Sequence, residues 1–136
     1  MYIQNEQILA VDYKHLVMEV FQEVLLSACG REEAIINQHF DQEYIQYWDG
    51  RFLGFKGPEG FRRHMQTYKA ARTITAVEFD TLVQEGDTVF TSHYVTSTDN
   101  ANPEQPPRKV KVMAEVRFNQ KGKVCFCDEV TAALIR

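Results

Sequence analysis

Val110-Lys111-Val112-Met113-Ala114-Glu115-Val116-Arg117-Phe118 alternates apolar and mostly charged side chains without a break. Successive side chains of extended backbone point to opposite faces, so this period-two pattern predicts a strand with one buried face, carried by Val110, Val112, Ala114, Val116 and Phe118. Downstream, Gln120-Lys121-Gly122-Lys123 predicts a turn and Val124 to Ala132 a last strand. Upstream, Thr98 to Arg108 gathers Asp99, Asn100, Asn102, Pro103, Pro106 and Pro107, turn formers that predict a long hairpin connection. Before it, Thr88 to Thr98 predicts a strand, Glu85-Gly86-Asp87 a turn, and Thr73 to Val83 another strand with Thr75, Val77, Phe79, Thr81 and Val83 on one face. The second half of the chain therefore predicts an antiparallel meander.

The first half changes period. From Glu6 to Ala28, Ile8, Leu9, Leu16, Val17, Val20, Phe21, Val24 and Leu25 recur at helical spacing, and Gly30 follows as a C-terminal glycine. A second helix is predicted over Arg31 to His39, with Glu32 and Glu33 in its first turn, where the helix dipole favours acids. Glu43 to Trp48 predicts a strand. Pro58 opens a third helix with Phe61, His64 or Met65, and Tyr68 on its face. Helices followed by a meander form an α+β plan, and a chain of 136 residues is expected to be a single domain over 1–136 with a core of its own.

Composition excludes several function classes. A net charge of −4 with no basic run disfavours nucleic-acid binding. The longest apolar runs, such as Ile8 to Val11, fall far short of the roughly 20 residues that cross a bilayer. The N-terminus, interrupted by Gln4, Glu6, Asp12 and Lys14, lacks a signal-peptide core, so a cytoplasmic protein is expected. The three cysteines, Cys29, Cys125 and Cys127, include a Cys-x-Cys pair whose spacing suits neither zinc nor redox chemistry. No metal and no cofactor is expected. Phosphate-cradling glycine loops, His-Glu-x-x-His and nucleophile elbows are absent from the sequence.

Four segments in this order carry a family resemblance: Tyr44-Ile45-Gln46-Tyr47-Trp48-Asp49, Gly57-Pro58-Glu59-Gly60-Phe61-Arg62, Val83-Gln84-Glu85-Gly86-Asp87-Thr88-Val89, and Val116-Arg117-Phe118-Asn119-Gln120-Lys121-Gly122-Lys123-Val124. Together they resemble the nuclear transport factor 2-like superfamily, in its SnoaL-like branch of polyketide cyclases and ketosteroid isomerase relatives. The resemblance implies a cone-shaped (cystatin-like) fold, with three N-terminal helices packed on a curved, mainly antiparallel sheet. It also implies a pocket between the two layers and a homodimer formed through the sheet. Proton-transfer members carry a carboxylate near the end of the first strand, where Asp49 stands here, and cyclase-like members an acid on the last strand, where Glu129 falls. The isomerase-like oxyanion pair of a helix tyrosine and a strand acid is replaced by Glu23 and Ala114, and the cyclase-like histidine of the Val110–Phe118 strand is missing.

Asp49 reads either as a base desolvated by Tyr47, Trp48 and Phe52 or as half of an Asp-Gly turn. Glu129 shares a strand face with Cys125, Cys127 and Thr131, which the resemblance turns toward the pocket; the alternative is an edge or interface carboxylate. On the Thr88–Thr98 strand, the same analogy points Phe90, Ser92 and Tyr94 inward, with Tyr94 a ligand donor or a core tyrosine, and places His93 on the outer face. His64, one turn from Phe61, is a partner of the base or a helix-surface residue. The expected pocket lining is Tyr47, Trp48, Phe52, Phe61, Phe90 and Ser92, together with Val112, Ala114, Val116 and Cys127. Two functions follow. One is proton transfer on a small apolar or aromatic carbonyl compound, by isomerisation, cyclisation or aldol-type chemistry, with Asp49, Glu129, His64 and Tyr94 as the reacting groups. The other is a non-catalytic ligand-binding or homodimerisation domain.

Overall fold

The computed structural model describes residues 11–26 and 30–134. The predicted start of the first helix with Ile8 and Leu9, its predicted end at Ala28, and Cys29 lie outside the described residues. Helix α1 (Lys14–Leu26) buries Val17, Val20 and Val24, a stripe at helical spacing. Asp12 Oδ1 accepts the Lys14 amide at its start at 3.0 Å. Helix α2 (Glu32–His39) buries Ile35 and Ile36. It ends where Phe40 turns extended, so the next strand opens at Phe40, ahead of the predicted Glu43.

Strand β1 (Phe40–Trp48) runs into a two-residue turn and the short strand β2 (Arg51–Phe52). Asp49 and Gly50 both take positive φ, 50° and 82°, which Asp-Gly supplies more readily than other pairs. Helix α3 (Gly57–Ala71) then crosses with Pro58 in its first turn and buries Phe61 and Met65. The meander follows as β3 (Arg72–Glu85), β4 (Thr88–Asp99), β5 (Arg108–Phe118) and β6 (Val124–Ala133). Among the described residues the sheet has six strands in the order β2-β1-β6-β5-β4-β3. All neighbours pair antiparallel except β1 and β6, which run parallel. The loop between β4 and β5 spans the proline-rich stretch as predicted.

The helices cover one face of this sheet, and the core lies between them. Tyr13 stacks on Phe118 with ring centres 3.9 Å apart, while Phe40, Tyr44 and Phe61 form a cluster at 4.7 to 5.4 Å. Val112, Ala114, Val116 and Phe118 of β5 are buried as the alternation required.

Two faces differ from expectation. On β4 the buried set is Val89, Thr91, His93, Val95 and Ser97, while Phe90 is 43% exposed. Alternation states which residues share a face and leaves open which face is inside. Pairing settles it, because Val89, Thr91 and His93 lie opposite the inward residues Val116, Ala114 and Val112. On β3, register shifts between Ile74 and Ala76 and between Phe79 and Thr81 break the expected single face. Ile74 and Val77 are buried, Leu82 packs against the core, and Val83 is exposed.

Candidate functional site

A cavity of ≈ 340 Å³ opens between the helices and the concave face of the sheet. Helix α1 contributes Val17, Val20 and Phe21 to its lining, and α3 contributes Phe61, His64, Met65 and Tyr68. Strand β1 adds Tyr44, Gln46 and Trp48, which alternate on its inner face. His93 and Val95 come from β4, Val112 and Val116 from β5, and Cys127, Glu129 and Thr131 from β6. The wall is mostly apolar with a few convergent polar groups, the usual make-up of a small-molecule site.

Glu129 is the acid of this cavity. It is half-buried, and the surface it retains belongs to a residue that lines the cavity. Burial, reinforced by the negative charges of Asp49 and Asp128, pushes its carboxyl from the ordinary 4.5 up to about 7. Among the described residues no Lys or Arg pairs with it. The Tyr44 hydroxyl donates to Gln46 Oε1 at 2.7 Å, which turns the amide nitrogen of Gln46 toward Glu129 Oε1 at 3.5 Å. Burial raises the Tyr44 phenol and the Cys127 thiol well above their ordinary values, so both stay neutral. His64, half-buried beside Phe55 and Trp48, is held below its ordinary value by burial and is neutral at pH 7.

Asp49 lies elsewhere. It is exposed in the β1–β2 turn and does not line the cavity. Its two carboxylate oxygens accept the Thr131 amide at 2.8 Å and the Thr131 hydroxyl at 2.9 Å, while its own amide donates to the Glu129 carbonyl at 2.8 Å. The turn alternative therefore describes Asp49. Its charge reaches the cavity only as a field on Glu129.

Of the expected lining, Trp48, Phe61, Val112, Val116 and Cys127 face the cavity with His64 and Glu129. Ala114 is buried in the core beside it. Tyr47 and Phe52 pack against each other outside the cavity at 5.5 Å, because Tyr47 is out of phase with Gln46 and Trp48. Phe90, Ser92 and Tyr94 lie on the outer face of β4, where Lys109 sits over the Tyr94 ring at 5.0 Å. Cys125 leaves the inner face because the register of β5 and β6 shifts next to it, and its thiol meets the Arg117 carbonyl. Gln46 and His93 were missed, although Gln46 was legible from its phase with Trp48. Among the described residues no group of three or more His, Cys, Asp or Glu is placed to hold a metal. No described helix is long and apolar enough to cross a membrane.

The shape and sequence have known counterparts. The chain superposes on a candidate SnoaL-like polyketide cyclase from Shewanella denitrificans with a TM-score of 0.70 at 6% identity, covering 90% of this chain and 92% of that one. An NTF2-like protein from Anabaena variabilis matches with a TM-score of 0.69 at 13% identity over 97% and 96% of the two chains. A candidate isomerase of the SnoaL-like family from Agrobacterium tumefaciens matches with a TM-score of 0.66 at 8% identity over 88% and 97%. These likenesses establish a nuclear transport factor 2-like fold. No curated protein matches by sequence. The family model for the SnoaL-like domain matches residues 30–126, most of the chain. The protein belongs to the SnoaL-like domain family.

Proposed function

We propose that this SnoaL-like protein binds a small, largely apolar carbonyl compound and transfers a proton on it, with Glu129 as the base. The observation that carries the reading is a carboxyl on a mostly apolar cavity wall, without a Lys or Arg partner among the described residues and raised to about 7 by burial. Such a group is part ionised near neutrality, where it accepts and returns protons with comparable ease. It would take a proton from the carbon beside a carbonyl; the C–H electrons pass to the carbonyl oxygen and the new O–H bond forms on Glu129. Return of that proton to a different atom isomerises the ligand; alternatively, attack of the enolate on a second carbonyl forms the C–C bond that cyclises it, and the resulting alkoxide takes the proton back from Glu129. Gln46 orients the carboxyl, and the neutral His64 is a second group able to exchange a proton. A cavity of ≈ 340 Å³ sits at the small end of ligand sites and suits one or two fused rings.

The test is exchange of the C1 hydrogens of 2-tetralone in deuterated buffer, followed by proton NMR. The wild-type protein should accelerate the exchange, and Glu129→Gln should lose about 100-fold or more of that acceleration. Equal rates in the two proteins remove Glu129 from the role. Binding without exchange would leave the ligand-binding alternative.

A homodimer through the outer face of the sheet belongs to the same proposal. Phe90, Met113 and Val130 are 43%, 54% and 54% exposed on neighbouring strands of that face. Adjoining apolar side chains of this size mark an interaction surface more often than a bare one.

A further inference from the structure

His93 stands on the cavity wall away from the Gln46–Glu129 side, and proton transfer through Glu129 makes no use of it. It is 1% exposed and packs between Phe21 and Phe79, with ring centres at 4.9 and 5.0 Å. Its Nδ1 lies 2.8 Å from the Thr91 hydroxyl. Among the described residues Nε2 has no hydrogen-bond partner. Desolvation drops the imidazole to about 4, so the ring is neutral at physiological pH and carries one proton.

Which nitrogen carries that proton follows from Thr91. The buried Thr91 hydroxyl has no acceptor among the described residues other than His93 Nδ1. A proton on Nδ1 would leave the hydroxyl hydrogen unpaired in the core, which costs the desolvation of a donor. A hydroxyl that donates to Nδ1 is satisfied and puts the ring proton on Nε2, which moves the donor without a protein partner from Thr91, outside the cavity lining, to a residue that lines the cavity. The nitrogen left over is then a donor on a residue that lines the cavity.

We propose that His93 donates Nε2–H to a ligand oxygen, so that the cavity selects carbonyl-bearing ring compounds over hydrocarbons of the same shape. The proposal deepens the proton-transfer reading and rests on it for the identity of the oxygen, which becomes the enolate oxygen when Glu129 removes the neighbouring proton. Register supports the pairing. His93 lies opposite Val112, which lies opposite Thr131, two residues from Glu129 on the same face. The two side chains therefore converge on the concave face from strands roughly 10 Å apart, two strand spacings. A ring-sized ligand fills that gap with its oxygen toward β4 and its acidic C–H toward β6. A neutral donor in a water-poor site stabilises a developing oxyanion without having to give up a charge. Phe21 and Phe79 hold the ring in place, and Thr91 is a positioning residue that fixes the tautomer.

The test compares 2-tetralone with tetralin, which share a shape and differ in the oxygen, by equilibrium binding to the wild type and to His93→Phe and Thr91→Val. The wild type should prefer the ketone by about three- to tenfold, the range of one net hydrogen bond. His93→Phe should lose that preference while tetralin binding changes by less than about threefold. Thr91→Val, which keeps the packing, should reduce the preference by releasing the tautomer. Nitrogen-15 NMR of the ligand-free protein should show His93 protonated on Nε2, so the proposal does not depend on His93→Phe folding. A proton on Nδ1, a ketone preference unchanged in His93→Phe, or no ketone preference in the wild type overturns it. Glu129→Gln separates the two readings. It should abolish exchange and keep the ketone preference, so a protein with the preference and no Glu129-dependent exchange refutes the base and not the donor.

Discussion

Glu129 and Asp49 carry the same functional group on adjoining strand ends, and they differ in where water reaches them. Asp49 is solvated and has its oxygens tied to Thr131, whereas Glu129 faces an apolar cavity and takes the field of Asp49 as a penalty. That difference has a consequence for stability. The folded chain holds a proton on Glu129 up to about 7, whereas the unfolded chain releases it near 4.5. Between those values the folded state binds more protons, so the contribution of Glu129 to stability is present at low pH and is lost as pH rises from 4.5 to 7. His93 acts in the opposite sense. Its imidazole is lowered to about 4, so its contribution is present above 6.5 and is lost as pH falls toward 4. Melting temperatures measured from pH 4.5 to 8 should therefore show a Glu129→Gln variant that gains relative to wild type as pH rises. A constant difference across that window would mean that Glu129 titrates normally. Both acids were visible in the sequence as candidates. Asp-Gly marked the turn, and alternation put Glu129 on the face of Cys127, but desolvation depends on what packs opposite and no local pattern contains it.

At the scale of the element, α3 holds the site together. It places Phe61, His64, Met65 and Tyr68 over the sheet, and its start is fixed by a close approach. Gly57 has φ +80°, and a Cβ there would meet the Gln42 carbonyl oxygen at 2.9 Å. Gly57→Ala should therefore destabilise the fold by about 1–3 kcal/mol through backbone strain and that contact, read as a lower urea midpoint. An unchanged midpoint would show that β1 yields to the added carbon. The strands show the limits of periodicity. The pattern of β5 gave its faces correctly because the apolar and charged sets are chemically distinct. On β4 both sets mix apolar and hydroxyl side chains, so the analogy chose the wrong side and put Tyr94 in place of His93. On β3 the two register shifts defeat any fixed period.

For the molecule as a whole, the described helices occupy one face of the sheet, and among the described residues the other face is uncovered. The order of elements, the meander and the family were legible because turn residues and period changes are local. The parallel pairing of β1 with β6, which brings Trp48 opposite Glu129, is a long-range contact that no segment announces. The outer face carries Met113 at 54% exposure between Ser92 and Val130 in register. Met113→Glu should split the proposed homodimer, read by light scattering after size exclusion, without loss of the melting transition. A wild-type monomer at tens of micromolar would contradict the dimer. Proton transfer in this cavity depends on one carboxyl, and the most direct measurement is its titration by carbon-13 NMR in glutamate-labelled protein, with Glu129→Gln identifying the resonance. The midpoint should lie at about 7 and fall in Asp49→Asn as a neighbouring negative charge is removed. A midpoint near the ordinary 4.5 would leave the cavity without its base.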